Sequence, residues 1–166
     1  MNARGRGYWR RLWIVLALGA LSACGFQLQG RQVLPATLAT VVIDAKDEQS
    51  EFMHALRAAI NASGGRVAAE GTVGAATLRI RRDEVIERVL SVDSRNIPTD
   101  YELTYDVEID VTADGRQLLD SEEFSRSIVY SFDETKLLAK EREKEILVEA
   151  LARDMASVVT RRLSSL

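Results

Sequence analysis

The chain holds one thiol, Cys24, and one imidazole, His54, so the chemistry open to it is narrow. With no cysteine after Cys24 there is neither a disulfide framework nor a thiolate metal site. His54 falls on the polar side of a face built by Phe52 and Leu56. Without a second histidine or a nearby nucleophile, it reads as a surface residue. No Gly-x-Ser-x-Gly elbow occurs, and Gly71-Thr72-Val73-Gly74 has loop chemistry at a spacing too common to mark a phosphate cradle. Carboxylates are plentiful, but they recur on regular alternating faces, which gives an acid–base pair no support beyond composition.

Cys24 is the residue whose setting specifies a reaction. Arg4, Arg6, Arg10 and Arg11 precede it without an acidic neighbour, followed by an apolar run from Leu12 to Ala20. That is the charged and apolar part of an export signal. The run is roughly half of the ~20 residues that a spanning helix needs. Leu21-Ser22-Ala23-Cys24 resembles a bacterial lipobox, in which cleavage precedes the cysteine and acyl chains are attached to it. The competing reading, a leftover free thiol, would be odd in an exported chain. Each buried acyl methylene contributes about 0.8 kcal/mol, so several chains on one cysteine anchor a protein without a spanning helix. Gly25 stands where such lipoproteins carry Asp when the inner membrane retains them, which implies delivery to the outer membrane.

The chain therefore divides into a signal over residues 1–23, an acylated tether over 24–36, with Phe26, Leu28 and Val33 able to pack on the domain, and a domain over 37–166. One core of ordinary size is feasible. The net charge of −3 becomes more negative once the leader arginines leave. A basic footprint for nucleic acid is absent. Both tryptophans, Trp9 and Trp13, leave with the signal. No cofactor is expected.

The elements follow from periodicity. Thr40-Val-Val-Ile-Asp44 is a β-branched run and reads as a strand. Phe52, Met53, Leu56, Ala59 and Ile60 share one helix face, with Ser50 as N-cap and Gly64-Gly65 as terminator. Ala76 to Val92 predicts a long strand with Leu78, Ile80, Ile86, Leu90 and Val92 inward and an irregularity near Arg82-Asp83-Glu84. Tyr101 to Thr112 alternates without a break, one face apolar and the other acidic, which predicts a strand with a core side and a wet or partner-facing side. Asp114-Gly115 favours a tight hairpin into a strand from Gln117 to Ser131. A long helix starts near Asp133, its buried stripe running from Leu137, Leu138 and Ile146 to Leu163, with Lys136, Lys140 and Lys144 on the exposed side. The expected fold is α+β: a single mixed sheet of about four strands with two helices on one face, in the order β-α-β-β-β-α.

Several stretches together resemble the LPS-assembly lipoprotein family LptE, also called RlpB. They are Ala23-Cys24-Gly25-Phe26-Gln27-Leu28, then Tyr101-Glu102-Leu103 after a polar turn, and Tyr130-Ser131-Phe132-Asp133-Glu134 leading into Leu138-Ala139-Lys140-Glu141. The resemblance implies a non-enzymatic outer-membrane lipoprotein that plugs and helps assemble the LptD β-barrel and assists insertion of lipopolysaccharide. It also implies that Arg95, in the turn, and Lys140, early in the last helix, contact lipopolysaccharide. The chemistry is coherent, since an arginine offers a fork of donors to a phosphate and a lysine supplies a point charge. The ordinary alternative makes them a turn arginine and a solvated helix lysine. Two other functions compete: an adaptor lipoprotein of another envelope machine, and a lipid-anchored periplasmic hydrolase, which the missing catalytic sets disfavour.

Overall fold

The computed structural model describes residues 33–166. Its elements are β1 (Thr40–Ala45), α1 (Glu51–Ala62), β2 (Arg66–Ala68), β3 (Ala76–Val92), β4 (Pro98–Ala113), β5 (Arg116–Ser131) and α2 (Leu137–Leu163). Single 3-10 turns at Ala36–Leu38 and Glu134–Lys136 lead into β1 and α2. The strands form one mixed sheet in the order β2-β1-β3-β4-β5. Strand β1 is parallel to β2 and β3, and β3-β4-β5 is an antiparallel meander. The α+β class is as expected, with five strands instead of about four. The additional strand, β2, has three residues, too few to show alternation, and is defined by pairing Thr40 with Arg66 and Val42 with Ala68.

Helix α1 begins where Ser50 accepts a hydrogen bond from the Met53 amide, 3.1 Å away, and ends into Gly64 at φ +82. Phe52, Met53, Leu56 and Ile60 are its buried face. The cap is also tied to the sheet: Ser50 donates to Asp83 at 2.5 Å, and Tyr105 Oη donates to the same carboxylate at 2.8 Å. The β4–β5 hairpin turns at Asp114 and Gly115, φ +51 and +71, as its sequence requires.

The long strand β3 departs from its predicted facing. An extra residue between Ile80 and Arg82 shifts the register, and a second shift lies between Val89 and Ser91. A bulge reverses the side-chain alternation beyond it. Leu78 pairs with buried Val111, whereas beyond the bulge Val85, Glu87 and Val89 pair with Tyr105, Leu103 and Tyr101 on the helix side. Ile86 therefore lies opposite Thr104 on the uncovered face. Ile86, Leu90 and Val92 are exposed, not core as their spacing predicts.

Helix α2 buries Leu151, Ala152, Met155, Ala156, Val159, Thr160 and Leu163. Its predicted stripe starts too early, because Leu137, Leu138 and Ile146 are all exposed. The core lies under the second half of the helix, where α2 packs beside α1. Val33 is exposed, against the expectation that it packs on the domain, while Leu34 and Leu38 are in the core. Cys24, Phe26 and Leu28 lie outside the described residues.

Candidate functional site

One end of the sheet gathers the sequence-predicted basic residues. It is formed by the β3–β4 turn, the last residues of β5 and the first turns of α2, with Asp100 of β4 opposite Ser131 of β5. In the turn, Asp93 Oδ1 accepts from the amides of Arg95 and Ile97 at 2.7 and 3.0 Å, and Asn96 takes φ +64. The Ile97 amide, together with the Arg95 amide and guanidinium, keeps the Asp93 carboxyl below its usual pKa. Arg95 Nε donates to Asp93 Oδ2 at 3.0 Å, yet its side chain remains 69% exposed. The guanidinium is thus held at its base and open at its tip.

Lys140 differs from a solvated helix lysine. Its side chain is only 15% exposed, and Nζ lies 2.7 Å from Glu143. One turn further along α2, Lys144 Nζ donates to Glu87 Oε2 at 2.7 Å, and Tyr130 Oη donates to Glu87 Oε1 at 2.5 Å. Burial raises the Glu87 pKa, but the hydrogen bonds from Lys144 and Tyr130 outweigh it and leave the carboxyl below its ordinary value. Burial and the same carboxylate push the Tyr130 phenol upward. Nothing in the sequence pairs Glu87 with Lys144, since the two are 57 residues apart. The legible signal was only a lysine on every fourth helical position, which puts Lys140 and Lys144 on neighbouring turns.

Around these charges lies an apolar rim. Val85, Val89, Leu90, Val92, Ile128, Val129, Leu137, Leu138 and Ile146 are exposed, Leu138 to 87%. Beneath it Tyr101 stacks on Tyr130, ring centroids 5.7 Å apart, and meets Phe132 edge-on at 5.3 Å. Asp133 then accepts from the Thr135 amide at 3.0 Å, which starts the 3-10 turn before α2.

The uncovered sheet face is a field of cross-strand ion pairs. Arg79 meets Asp44 at 2.9 Å, Arg82 meets Glu108 and Glu123 at 3.2 and 2.5 Å, and Arg88 meets Glu102 at 2.8 Å. Asp110, predicted on the wet side, is only 5% exposed. It accepts from Arg81 at 2.6 Å and from the Ser121 amide at 2.8 Å, two residues brought in by irregular register in β3 and β5. His54 is exposed on α1, beside an open hollow of about 460 Å³ floored by Ala55, Ala58, Ala59 and Ala62. Among the described residues no helix is long and apolar enough to cross a membrane, and no three His, Cys, Asp or Glu side chains are placed to hold a metal.

Residues 38–163 match the sequence model of LptE, described as lipopolysaccharide-assembly. The chain belongs to the LptE family. A relative from Pectobacterium atrosepticum, an LPS-assembly lipoprotein LptE, is 24% identical over 159 residues, spanning 93% of this chain and 85% of its own. Rare lipoprotein B from Shewanella oneidensis superposes with a TM-score of 0.67 at 23% identity, over 76% of this chain and 94% of the other. Lipoprotein B from Nitrosomonas europaea gives 0.70 at 23% identity, over 85% and 91%. These two structures share the fold.

The LptE-like motifs are scattered in sequence but adjoin in space. Tyr101 comes from Tyr101-Glu102-Leu103, and Tyr130, Phe132 and Asp133 come from the segment that enters α2. They form the aromatic contact and the helix start at the end of the sheet that carries Arg95 and Lys140. Leu103, in the same LptE-like stretch, is fully buried.

Proposed function

We propose that this LptE-family chain is an outer-membrane lipoprotein, anchored by acyl chains on Cys24. It seats as a plug in the LptD β-barrel, assists that barrel's assembly, and meets lipopolysaccharide at the end of the sheet that carries Arg95 and Lys140. The work is binding, with no bond made or broken. The observation that carries this reading is the juxtaposition at one end of the fold of an arginine open at its tip, a lysine early in α2 and a rim of exposed aliphatic side chains. A phosphorylated, acylated glycolipid offers the complementary pair: phosphates for the cations and hydrocarbon for the rim.

The test is the double variant Arg95→Asp with Lys140→Asp, on which lipopolysaccharide binding, melting temperature and co-purification with the barrel are measured together. Lipopolysaccharide binding is expected to fall about tenfold or more, as two attractive contacts become repulsive. Barrel association is expected to persist. Lys136→Asp, paired only with Asp133 at 3.3 Å, controls for loss of positive charge. Unchanged lipopolysaccharide binding removes both residues from the site, and loss of the barrel together with the ligand assigns them to assembly instead.

A further inference from the structure

Strand β5 is the long free edge of the sheet, with β4 on one side and no strand on the other among the described residues. Its two halves are guarded differently. The half from Arg116 to Phe124 carries Arg116, Asp120, Glu122 and Glu123, and its ladder is broken beside Ser121, which takes φ +49. Charges and a bulge of this kind keep a foreign strand away. The half from Ser125 to Ser131 pairs in unbroken register with Thr99's neighbour Asp100 through Asp106 of β4. It holds one charge, Arg126, already neutralised by Asp154 at 3.2 Å, and no glycine or proline. Ile128 and Val129 on this half are 37% and 52% exposed.

We propose that this half-edge pairs with the same segment of a second copy of the chain, antiparallel, about a two-fold axis through Ile128. The argument is self-complementarity. Directly opposite residues in an antiparallel ladder share a face. Centred on Ile128, the register sets Ile128 against Ile128, Ser127 against Val129, Arg126 against Tyr130 and Ser125 against Ser131. No like charges meet, and the arginine faces a phenol ring. Moving the axis two residues back, to Arg126, sets Arg126 against itself and Glu123 against Val129, which is unfavourable. Moving it to Phe124 runs the ladder into the break at Ser121. The neutral segment is also short, so the contact is of the small, transient class. This inference does not depend on the barrel or lipopolysaccharide.

The experiment uses the full chain in detergent with Ile128→Cys under mild oxidation. Only a residue on the two-fold axis lies opposite itself, and opposed Cα atoms about 4.5–5.5 Å apart suit a disulfide. A dimer linked 128 to 128 by peptide mapping is expected, at least tenfold above the 125-to-125 link of Ser125→Cys under the same conditions. Mixing Ser125→Cys chains with Ser131→Cys chains is expected to give the 125-to-131 link, an independent check that leaves Ile128 intact. Val129→Lys, added to Ile128→Cys, is expected to suppress the dimer about tenfold, as an edge lysine does. Absence of the 128-to-128 and 125-to-131 links in chains with an unchanged melting temperature overturns the proposal. Equal self-linking at 125 and 128 overturns it too, since that is random collision.

Discussion

Lys144 Nζ lies 2.7 Å from Glu87 Oε2, so the first turns of α2 are fastened to the far half of β3, a strand 57 residues away. Tyr130 Oη completes the carboxylate's partners from β5. Three elements thus meet at one side chain, one helical turn from Lys140.

Glu87→Gln and Lys144→Met should each lower stability slightly, because both side chains are about a third exposed and solvent screens the pair. A double-mutant cycle is expected to give a coupling of about 0.5–1 kcal/mol. The local effect should exceed the global one: amide exchange in the first turns of α2 accelerates while exchange in β4 changes little. Uniform acceleration across the domain would show that the contact does not act locally.

Leu56 is fully buried under α1, and Leu138 is 87% exposed on α2. Leu56→Ala is expected to cost about 2–5 kcal/mol and Leu138→Ala to stay within about 0.5 kcal/mol. Chemical denaturation of both variants measures the contrast. Similar midpoints would contradict the placement of the core.

Asp110 gives the domain an acid limit. Burial opposes its charge, but the Ser121 amide and Arg81 outweigh burial and hold the carboxyl below the usual value. A lowered folded-state pKa means that the contribution to stability is complete above about pH 4, near the unfolded value, and is lost as pH falls through the folded value. Asp110→Asn should therefore destabilise the domain at pH 7, with the gap to wild type closing below about pH 4. Melting temperatures taken from pH 7 down to pH 3 test this, and a gap of constant size would refute it.

Gly65 sits where a Cβ would lie 2.7 Å from Leu34 Cδ1 and 2.9 Å from Ile60 Cγ2. Gly65→Ala is expected to cost about 1–3 kcal/mol through overpacking. Gly64→Ala should cost about 1 kcal/mol by a different route, because Gly64 holds φ +82 and has open space around it. Shortening Leu34 to Ala is expected to recover part of the Gly65→Ala loss and none of the Gly64→Ala loss, measured as a thermodynamic cycle. Equal recovery in both would mean that Leu34 is not what the new methyl group meets.

Local chemistry carried a large part of the fold into view. Ser50, Gly64, Asp114-Gly115 and Asp133 mark starts and stops because each acts on amides or dihedrals within a few residues. The alternation from Tyr101 to Val111 was legible for the same reason, as β4 is central to the meander and keeps one face against the helices. Strand β2 was not legible, since three residues become a strand only by finding β1.

What the sequence by itself determined is the set of elements with their own local code, the lipobox-like setting of Cys24 and the ordered motifs that resemble the LptE family. The tertiary structure alone decided which apolar residues are core and which form the exposed rim. One inserted residue near Arg81 swaps the faces of the rest of β3, and the core ends before α2 does, so Ile86 and Leu138 have the pattern of buried residues without the cover. It also decided that Asp110 is buried and that Glu87 holds Lys144 and Tyr130. These are long-range pairings, fixed by register and packing between distant segments, and no local periodicity encodes them.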